Sequence, residues 1–284
     1  MKNREIARAR EYHERTKHSP ESVRRSAHTL DWPNQPLPFK IYKDLAPIPL
    51  PRETPPAASD LSRLAHLLYY SAGITRRRQY PGGEILFRAA ACTGALYEIE
   101  LYIVCGELTD LAAGLYHYGP ADHALRRLRQ GDWRGAVARA AALDETPLAF
   151  VISTGTYWRN AWKYQARTYR HFGWDNGTLH ANLLAVAAAQ DLAARLLCGF
   201  VDAEINRLLD LDTDREVALA LVALGRGAGP PPQAPQEMPK LDYATVPLSR
   251  QEVEDPLMRE MHQASSLETA EEVRAWRAAT PSKT

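Results

Sequence analysis

Two stretches of this 284-residue chain, residues 148–153 (LAFVIS) and 216–224 (EVALALVAL), are apolar almost without interruption. Segments this short read as strands buried on both faces, so the sheet they join must be covered above and below. Helical spacing fills 157–171 and 176–191 between them, followed by a strand at 196–200 and a helix at 202–209. Strand, helix, helix, strand, helix, strand is the order of a sheet clad in helices, and it excludes a bundle or a sandwich.

Upstream, residues 97–105 (YEIELYIVC) alternate as a strand does. Ile99, Leu101 and Ile103 fall on one side and Glu98, Glu100 and Tyr102 on the other. Residues 114–118 and 123–129 form a hairpin around Gly119-Pro120-Ala121-Asp122, and a short helix follows at 133–142. Asp60 opens a helix on Leu61, Leu64, Leu67 and Leu68, which Ser71-Ala72-Gly73 ends.

The flanks differ in character. A first helix over 1–17 stops at Ser19-Pro20. Prolines 33, 36, 38, 47, 49, 51, 55 and 56 then exclude regular structure over most of that stretch. Phe39, Ile41, Tyr42, Ile48 and Leu50 are too apolar for a free linker, so an arm laid over the rest is expected. After Gly225 comes the Gly/Pro-rich RGAGPPPQAPQEMPK. Ser249-Arg250-Gln251-Glu252 and Thr269-Ala270-Glu271-Glu272 then both match a capping box. Helices there carry too few apolar residues for a core; they dock on the main domain, dock on a partner or stay mobile. The expected division is an N-terminal helix and arm (1–59), a main domain (60–225) and a C-terminal linker with short helices (226–284).

A hydrophobic fraction of 45% with 24% charged residues excludes a disordered chain. The formal charge of +1 argues against a generally basic nucleic-acid binder. Ten basic and five acidic residues precede Asp44, about +5 against about −4 for the remainder, but the signs interleave as on a solvated helix. No apolar run approaches the roughly 20 residues of a membrane span, and the charged N-terminus is unlike a signal peptide. Three cysteines form no CxxC pair. A cytoplasmic protein without membrane or nucleic-acid partners is the expectation.

No phosphate loop, dinucleotide fingerprint, zinc-protease or nucleophile-elbow motif is present. The nine histidines do not cluster with cysteines at ligand spacing, so no metal site is expected. Three segments carry potential chemistry, each with a plainer alternative. Arg88 to Tyr97 is small-residue-rich around Gly94; it suits either close approach to a planar ligand or a simple turn. On a helix, Lys163, Arg167 and Arg170 make a cationic stripe that is either functional or a solvated face. Lys163 and Tyr164 diverge by about 100° on an ideal helix, so they share a pocket only where it wraps the helix or the helix is irregular. Finally, Asp175 or Asn176 suits an N-cap, and Asn182 lies beside Leu183 either as a satisfied core amide or as a ligand contact.

In order and spacing these segments resemble the nitroreductase family, specifically its SagB/ThcOx-type dehydrogenase branch. The resemblance is carried by Arg88, Gly94-Ala95-Leu96-Tyr97, Glu100-Leu101-Tyr102, Gly114-Leu115-Tyr116-His117-Tyr118, Lys163-Tyr164, Arg167, Tyr169-Arg170, Gly177, Asn182-Leu183 and Gly199-Phe200. It implies an α+β nitroreductase-like fold, a central mixed sheet covered by helices, that binds FMN at the interface of a dimer. The implied partner is a second copy or a separate nitroreductase-like subunit. The implied activity is flavin-dependent dehydrogenation of a small-molecule or peptide substrate, such as oxidation of azoline rings in peptides. Lys163 and Tyr164 are then the proton-handling pair, and Arg88, Cys92, Thr93, Gly94, Ala95, Leu96, Asn182 and Gly199 the cofactor contacts. The sequence departs from the pattern at Cys92, where family members often carry Ser, and at Glu98, which replaces a Pro. The family's N-terminal arginine clamp for the FMN phosphate is matched only at its start by Val23-Arg24-Arg25-Ser26. Arg76, Arg77, Arg78 and Arg226 are the cations available to replace it. A flavin-free partner subunit is the alternative these departures imply.

Overall fold

In the computed structural model, which describes residues 5–52, 59–233, 235 and 237–279, the two apolar segments are neighbouring interior strands of one seven-stranded sheet. In chain order the strands of that sheet are β1 (Ile48–Pro49), β4 (Ile99–Cys105), β5 (Gly114–Gly119), β6 (Ala124–Gln130), β7 (Ala149–Thr156), β8 (Ala194–Leu197) and β9 (Glu216–Leu224). A separate hairpin is made by β2 (Ile74–Tyr80) and β3 (Gly83–Arg88). The spatial order is β1-β6-β5-β4-β7-β9-β8. The α+β architecture is the one implied. Where a mixed sheet was implied, every pairing among these strands is antiparallel. Hairpin turns set that sense for β4 to β6, and the excursion through three helices returns β9 antiparallel to β7.

The helices are α1 (Ile6–Thr16), α2 (Pro20–Arg25), α3 (Asp60–Ala72), α4 (Arg134–Ala140), α5 (Tyr157–Tyr164), α6 (Thr168–Ala189), α7 (Asp202–Leu209), α8 (Pro256–Ser265) and α9 (Ala270–Ala278). Alternation along β4 sorts the core into two layers. Ile99, Leu101 and Ile103 pack with Leu64, Leu67 and Leu68 of α3 and with Leu179 and Leu183 of α6. Tyr102 and Val104 pack with Val137 of α4, Ile205 and Leu208 of α7, and Val273 of α9. No helix among the described residues is long and apolar enough to cross a membrane.

The helix boundary near the middle of the chain is not where the periodicity puts it. α5 ends at Tyr164, Gln165 takes a positive φ of 49°, and α6 runs unbroken through Asp175-Asn176-Gly177. Asp175 looks like an N-cap in sequence, but its carboxylate is spent on Thr93, accepting from the backbone N (2.9 Å) and from Oγ1 (2.9 Å). The break also disperses the cationic stripe. Arg167 donates to Thr16 O, and Arg170 donates to Thr16 Oγ1 (2.9 Å) and His13 O (3.0 Å), so both hold α1 in place.

The proline-rich arm lies along the C-terminal strap: Leu37 N donates to Leu248 O (2.8 Å) and Lys43 N to Ala244 O (2.9 Å). Of the two capping boxes, Thr269 caps α9 as expected, accepting from Glu272 N. Ser249 caps nothing; its hydroxyl accepts from Trp158 Nε1 (2.7 Å) and donates to Gln251 O (2.8 Å), while Asp255 caps α8. Of the three fates open to the C-terminal helices, docking on the main domain is the one found, through Met258, Leu267 and Val273. The strand expected over 196–200 ends at Leu197, because residues 198–200 turn under α9.

Candidate functional site

The turn leading into β4 carries three positive φ angles, at Gly94 (67°), Ala95 (54°) and Tyr97 (55°). Such a loop persists only if its surroundings hold it. Here Cys92 Sγ accepts from Tyr97 N (3.0 Å), Asp175 holds Thr93 from α6, and Arg159 Nη1 donates to Tyr97 O (2.9 Å). Arg88 stands behind the loop, buried, with its guanidinium on Pro38 O and Ile99 O and 4.9 Å from the Tyr97 ring centroid. Leu96 points into the core, whereas Gly94 and Ala95 face outward.

The end of α5 meets this loop. A Cβ on Gly94 would stand 2.8 Å from the Tyr164 hydroxyl oxygen, so the absence of a side chain is what admits Tyr164. The Tyr164 ring lies edge-on to buried His171 at 4.6 Å. Lys163 Nζ is 5.3 Å from the centroid of the same ring and has no carboxylate partner among the described residues. Both residues lie at the end of α5, where Tyr164 leaves helical geometry (φ −116°, ψ 3°) before the break at Gln165.

Beneath the loop, Cys92 Sγ lies 3.1 Å from Glu98 Oε2 and 3.3 Å from Asp175 Oδ2. Burial, reinforced by the hydrogen bond and charge of Asp175, pushes the Glu98 carboxyl up to about 8. Burial and the two acids push the Cys92 thiol up as well, so this sulfur is not a ready thiolate. Sulfur and two carboxylates within 4.8 Å are also a donor set able to hold a cation. Sequence spacing gives no sign of it, since the acids lie 6 and 83 residues from Cys92.

A second buried polar cluster crosses the sheet. Glu100 bonds Arg159 Nη1 (2.6 Å), His117 Nε2 (2.9 Å) and Lys40 N (2.8 Å). Lys40 Nζ pairs with Glu216, which also accepts from Tyr102 Oη (3.0 Å) and Thr154 Oγ1 (2.6 Å). Burial alone would raise Glu100, but Arg159 and His117 outweigh it and hold the carboxyl far below its ordinary range. The only hint in sequence is a pair of glutamates on the polar side of a strand.

Of the residues singled out in sequence, the structure gathers Cys92, Thr93, Gly94, Ala95, Lys163 and Tyr164, with Arg88 and Leu96 as supports. Asn182 lies further along α6, half-buried, donating to Tyr70 O of α3 (3.3 Å). Gly199 belongs to the opposite layer, where a Cβ would stand 2.6 Å from the Trp276 ring and Arg277 reaches its carbonyl. His28 Nε2 lies 3.2 Å from Trp162 O, next to the end of α5, but Arg24 turns back to Pro20 O and Arg25 to Glu21. Arg226 follows Leu224, which pairs with Ala149, whereas Ile99 pairs with Gly155; it is at the other end of the sheet.

The family model for the nitroreductase family matches residues 52–226. This chain belongs to the nitroreductase family. A nitroreductase-family protein of Anabaena variabilis superposes with a TM-score of 0.76 at 32% identity, covering 92% of this chain and 55% of that one. The trifolitoxin-processing protein TfxB of Rhizobium leguminosarum bv. trifolii is 28% identical over 202 residues, 67% of this chain and 54% of TfxB. This nitroreductase-family chain thus spans about half the length of either relative. A chain in the Escherichia coli microcin synthetase McbBCD complex, solved with truncated pro-MccB17, shares the fold (TM-score 0.51, 21% identity, 78% of this chain and 92% of that one).

Proposed function

We propose that this chain is a subunit of a cytoplasmic FMN-dependent oxidoreductase of the SagB/ThcOx-type branch, dehydrogenating an azoline-type ring in a peptide. The observation that carries the reading is the contact of Tyr164 with Gly94 at the end of α5, with Lys163 Nζ 5.3 Å from the centroid of the same ring. The likeness to TfxB, a toxin-processing protein, supports the substrate class.

The ring end of FMN fits this wall. Gly94 and Ala95 offer no bulk to a flat ring, and Lys163 is uncommitted. FMN, when bound, supplies the hydride acceptor. Lys163 Nζ and Tyr164 Oη are the groups of this chain placed to take the proton that leaves with the hydride. Asp175, Arg159 and Cys92 keep the loop from shifting under them. Gly199, on the other layer, cannot join the same wall within one chain. A second nitroreductase-like subunit completes the site.

Lys163→Ala is expected to lower turnover of a thiazoline- or oxazoline-containing peptide by roughly 10²- to 10⁴-fold while the flavin absorbance per chain stays unchanged. Full turnover in that variant removes the assigned role. The alternative, a flavin-free subunit that binds peptide or completes another subunit's site, is favoured by one observation: Trp276 covers Gly199. Purified protein that stays colourless and takes up no added FMN decides for it.

A further inference from the structure

Both ends of the Gly94 turn and the middle of α6 send a metal-ligating side chain to one point. Cys92 precedes the turn, Glu98 follows it and Asp175 comes from α6, and one donor atom of each lies within 4.8 Å of the others. Cys92 Sγ is 3.1 Å from Glu98 Oε2 and 3.3 Å from Asp175 Oδ2. Around a tetrahedral zinc ion, with bonds of about 2.3 Å to sulfur and about 2.0 Å to oxygen, such ligands stand roughly 3.5 Å apart. Small side-chain shifts therefore admit the ion. The sequence leaves its family's pattern in this loop at Cys92 and Glu98, and these are two of the three donors.

Glu98 adds a second sign. Its side chain is fully buried, yet Oε1 has no hydrogen-bond partner among the described residues. A buried carboxyl oxygen without a partner is costly. This one shares a carbon with a donor atom of the cluster, so it can take a fourth position on the ion. The other donors already have the hydrogen bonds that orient ligands around a metal. Tyr97 N donates to Cys92 Sγ (3.0 Å), and Thr93 N and Oγ1 donate to the two oxygens of Asp175 (2.9 Å each). Three anionic ligands leave a divalent ion with one negative charge in excess. Arg88, buried behind the loop on carbonyl oxygens, is close enough to Cys92 to offset it. Sulfur beside two oxygens suits zinc better than magnesium or calcium, which take oxygen ligands.

We propose that Cys92, Glu98 and Asp175 bind one divalent cation of the zinc class, which ties both ends of the Gly94 turn to α6. In the metal-free chain protons on the thiol and on Glu98 take its place. Binding displaces them to solvent, because a coordinating thiol is deprotonated. The assignment rests on the donor set and not on the flavin reading, so flavin-free protein tests it.

The full chain, stripped with EDTA and desalted, is titrated with Zn²⁺ by calorimetry and with Co²⁺ by absorption spectroscopy. Cys92→Ser and Glu98→Gln are compared with Cys198→Ser, which alters an exposed thiol outside the cluster. Circular dichroism of the metal-free variants verifies their folds. One equivalent of Zn²⁺ per chain is expected, bound at least about tenfold more weakly by Cys92→Ser and by Glu98→Gln and equally well by Cys198→Ser. Zn²⁺ should also raise the thermal midpoint of the unmodified chain. Bound Co²⁺ should show a thiolate-to-cobalt charge-transfer band in the near ultraviolet, absent from Cys92→Ser. That band is read on the unmodified chain, so it decides even where a variant misfolds. No saturable Zn²⁺ uptake by the unmodified chain, equal affinity in Cys92→Ser, or bound Co²⁺ without the thiolate band overturns the assignment.

Discussion

Glu98→Gln is expected to make the protein more stable than the parent at pH 8 and above, and to flatten its pH profile below that. In the folded chain burial, and then Asp175, raise the Glu98 carboxyl to about 8, whereas an unfolded glutamate titrates near the ordinary value of 4.5. Between those values the native state holds a proton that the unfolded state has released. Stability therefore declines as pH rises through this window, by up to about 1.4 kcal/mol per pH unit. What the neutral carboxyl contributes is fully present below the unfolded value and is lost as pH passes the folded one. An amide cannot ionise and keeps an oxygen for the Cys92 thiol, so the variant escapes the decline. Urea midpoints at pH 5, 6.5 and 8 on both proteins give the test, because titrations elsewhere cancel in the difference. The gap between the two should widen by several kcal/mol from pH 5 to pH 8. Parallel profiles would show that Glu98 is ionised in the native state and that Asp175 does not hold its proton.

This pair of acids also marks where the sequence stops being readable. The strands carry their own evidence. Residues 216–224 have nothing but apolar side chains after Glu216, and β9 has those bounds. Alternation in 97–105 assigns Leu101 and Tyr102 to layers that prove to be separate cores. The Gly94 loop and the Lys163-Tyr164 pair are legible as motifs, but the contact of Tyr164 with Gly94 is not, because it is tertiary. Asp175 misleads for a physical reason: an Asp before Asn-Gly is good capping chemistry, and only tertiary structure shows that its oxygens go to Thr93. Ser249 misleads in the same way, its hydroxyl being drawn to Trp158. The β2–β3 hairpin escapes notice because exposed arginines on β2 show no apolar period. Gly199 is placed with the flavin by resemblance, and the residue that covers it lies 77 positions downstream, in a helix with few apolar residues of its own.

Arg159→Met should be the most damaging single change in the chain. Arg159 is fully buried, and its guanidinium bridges Glu100 on β4 to the carbonyl of Tyr97 in the Gly94 loop. Removing one partner of a buried ion pair costs about 3–5 kcal/mol, a large share of the roughly 5–15 kcal/mol that holds a domain together. The cost arises less from lost attraction than from the charge left behind. Glu100 would keep His117 and Lys40 N, but burial pushes His117 below its ordinary value, so that ring is a neutral donor and supplies no countercharge. A second substitution should therefore repair much of the first: in Arg159→Met/Glu100→Met neither charge remains to be desolvated, and most of the loss should return. The pH dependence follows the same logic. In the parent, Glu100 is held low, so its contribution is present above the unfolded carboxylate value and is lost only as pH falls through the lower folded one. In Arg159→Met, only Arg88 and the His117 hydrogen bond still oppose burial, so Glu100 rises, and the deficit relative to the parent should shrink from pH 7 towards pH 4 as the carboxyl takes a proton. Denaturant midpoints of the parent, both single variants and the double variant at pH 4.5 and 7 measure this coupling. A single-variant loss below about 1 kcal/mol, the size of a surface pair, would remove Arg159 as the anchor of the loop. So would a double variant no more stable than Arg159→Met, because the Gly94 turn would then be held without a charge pair beneath it.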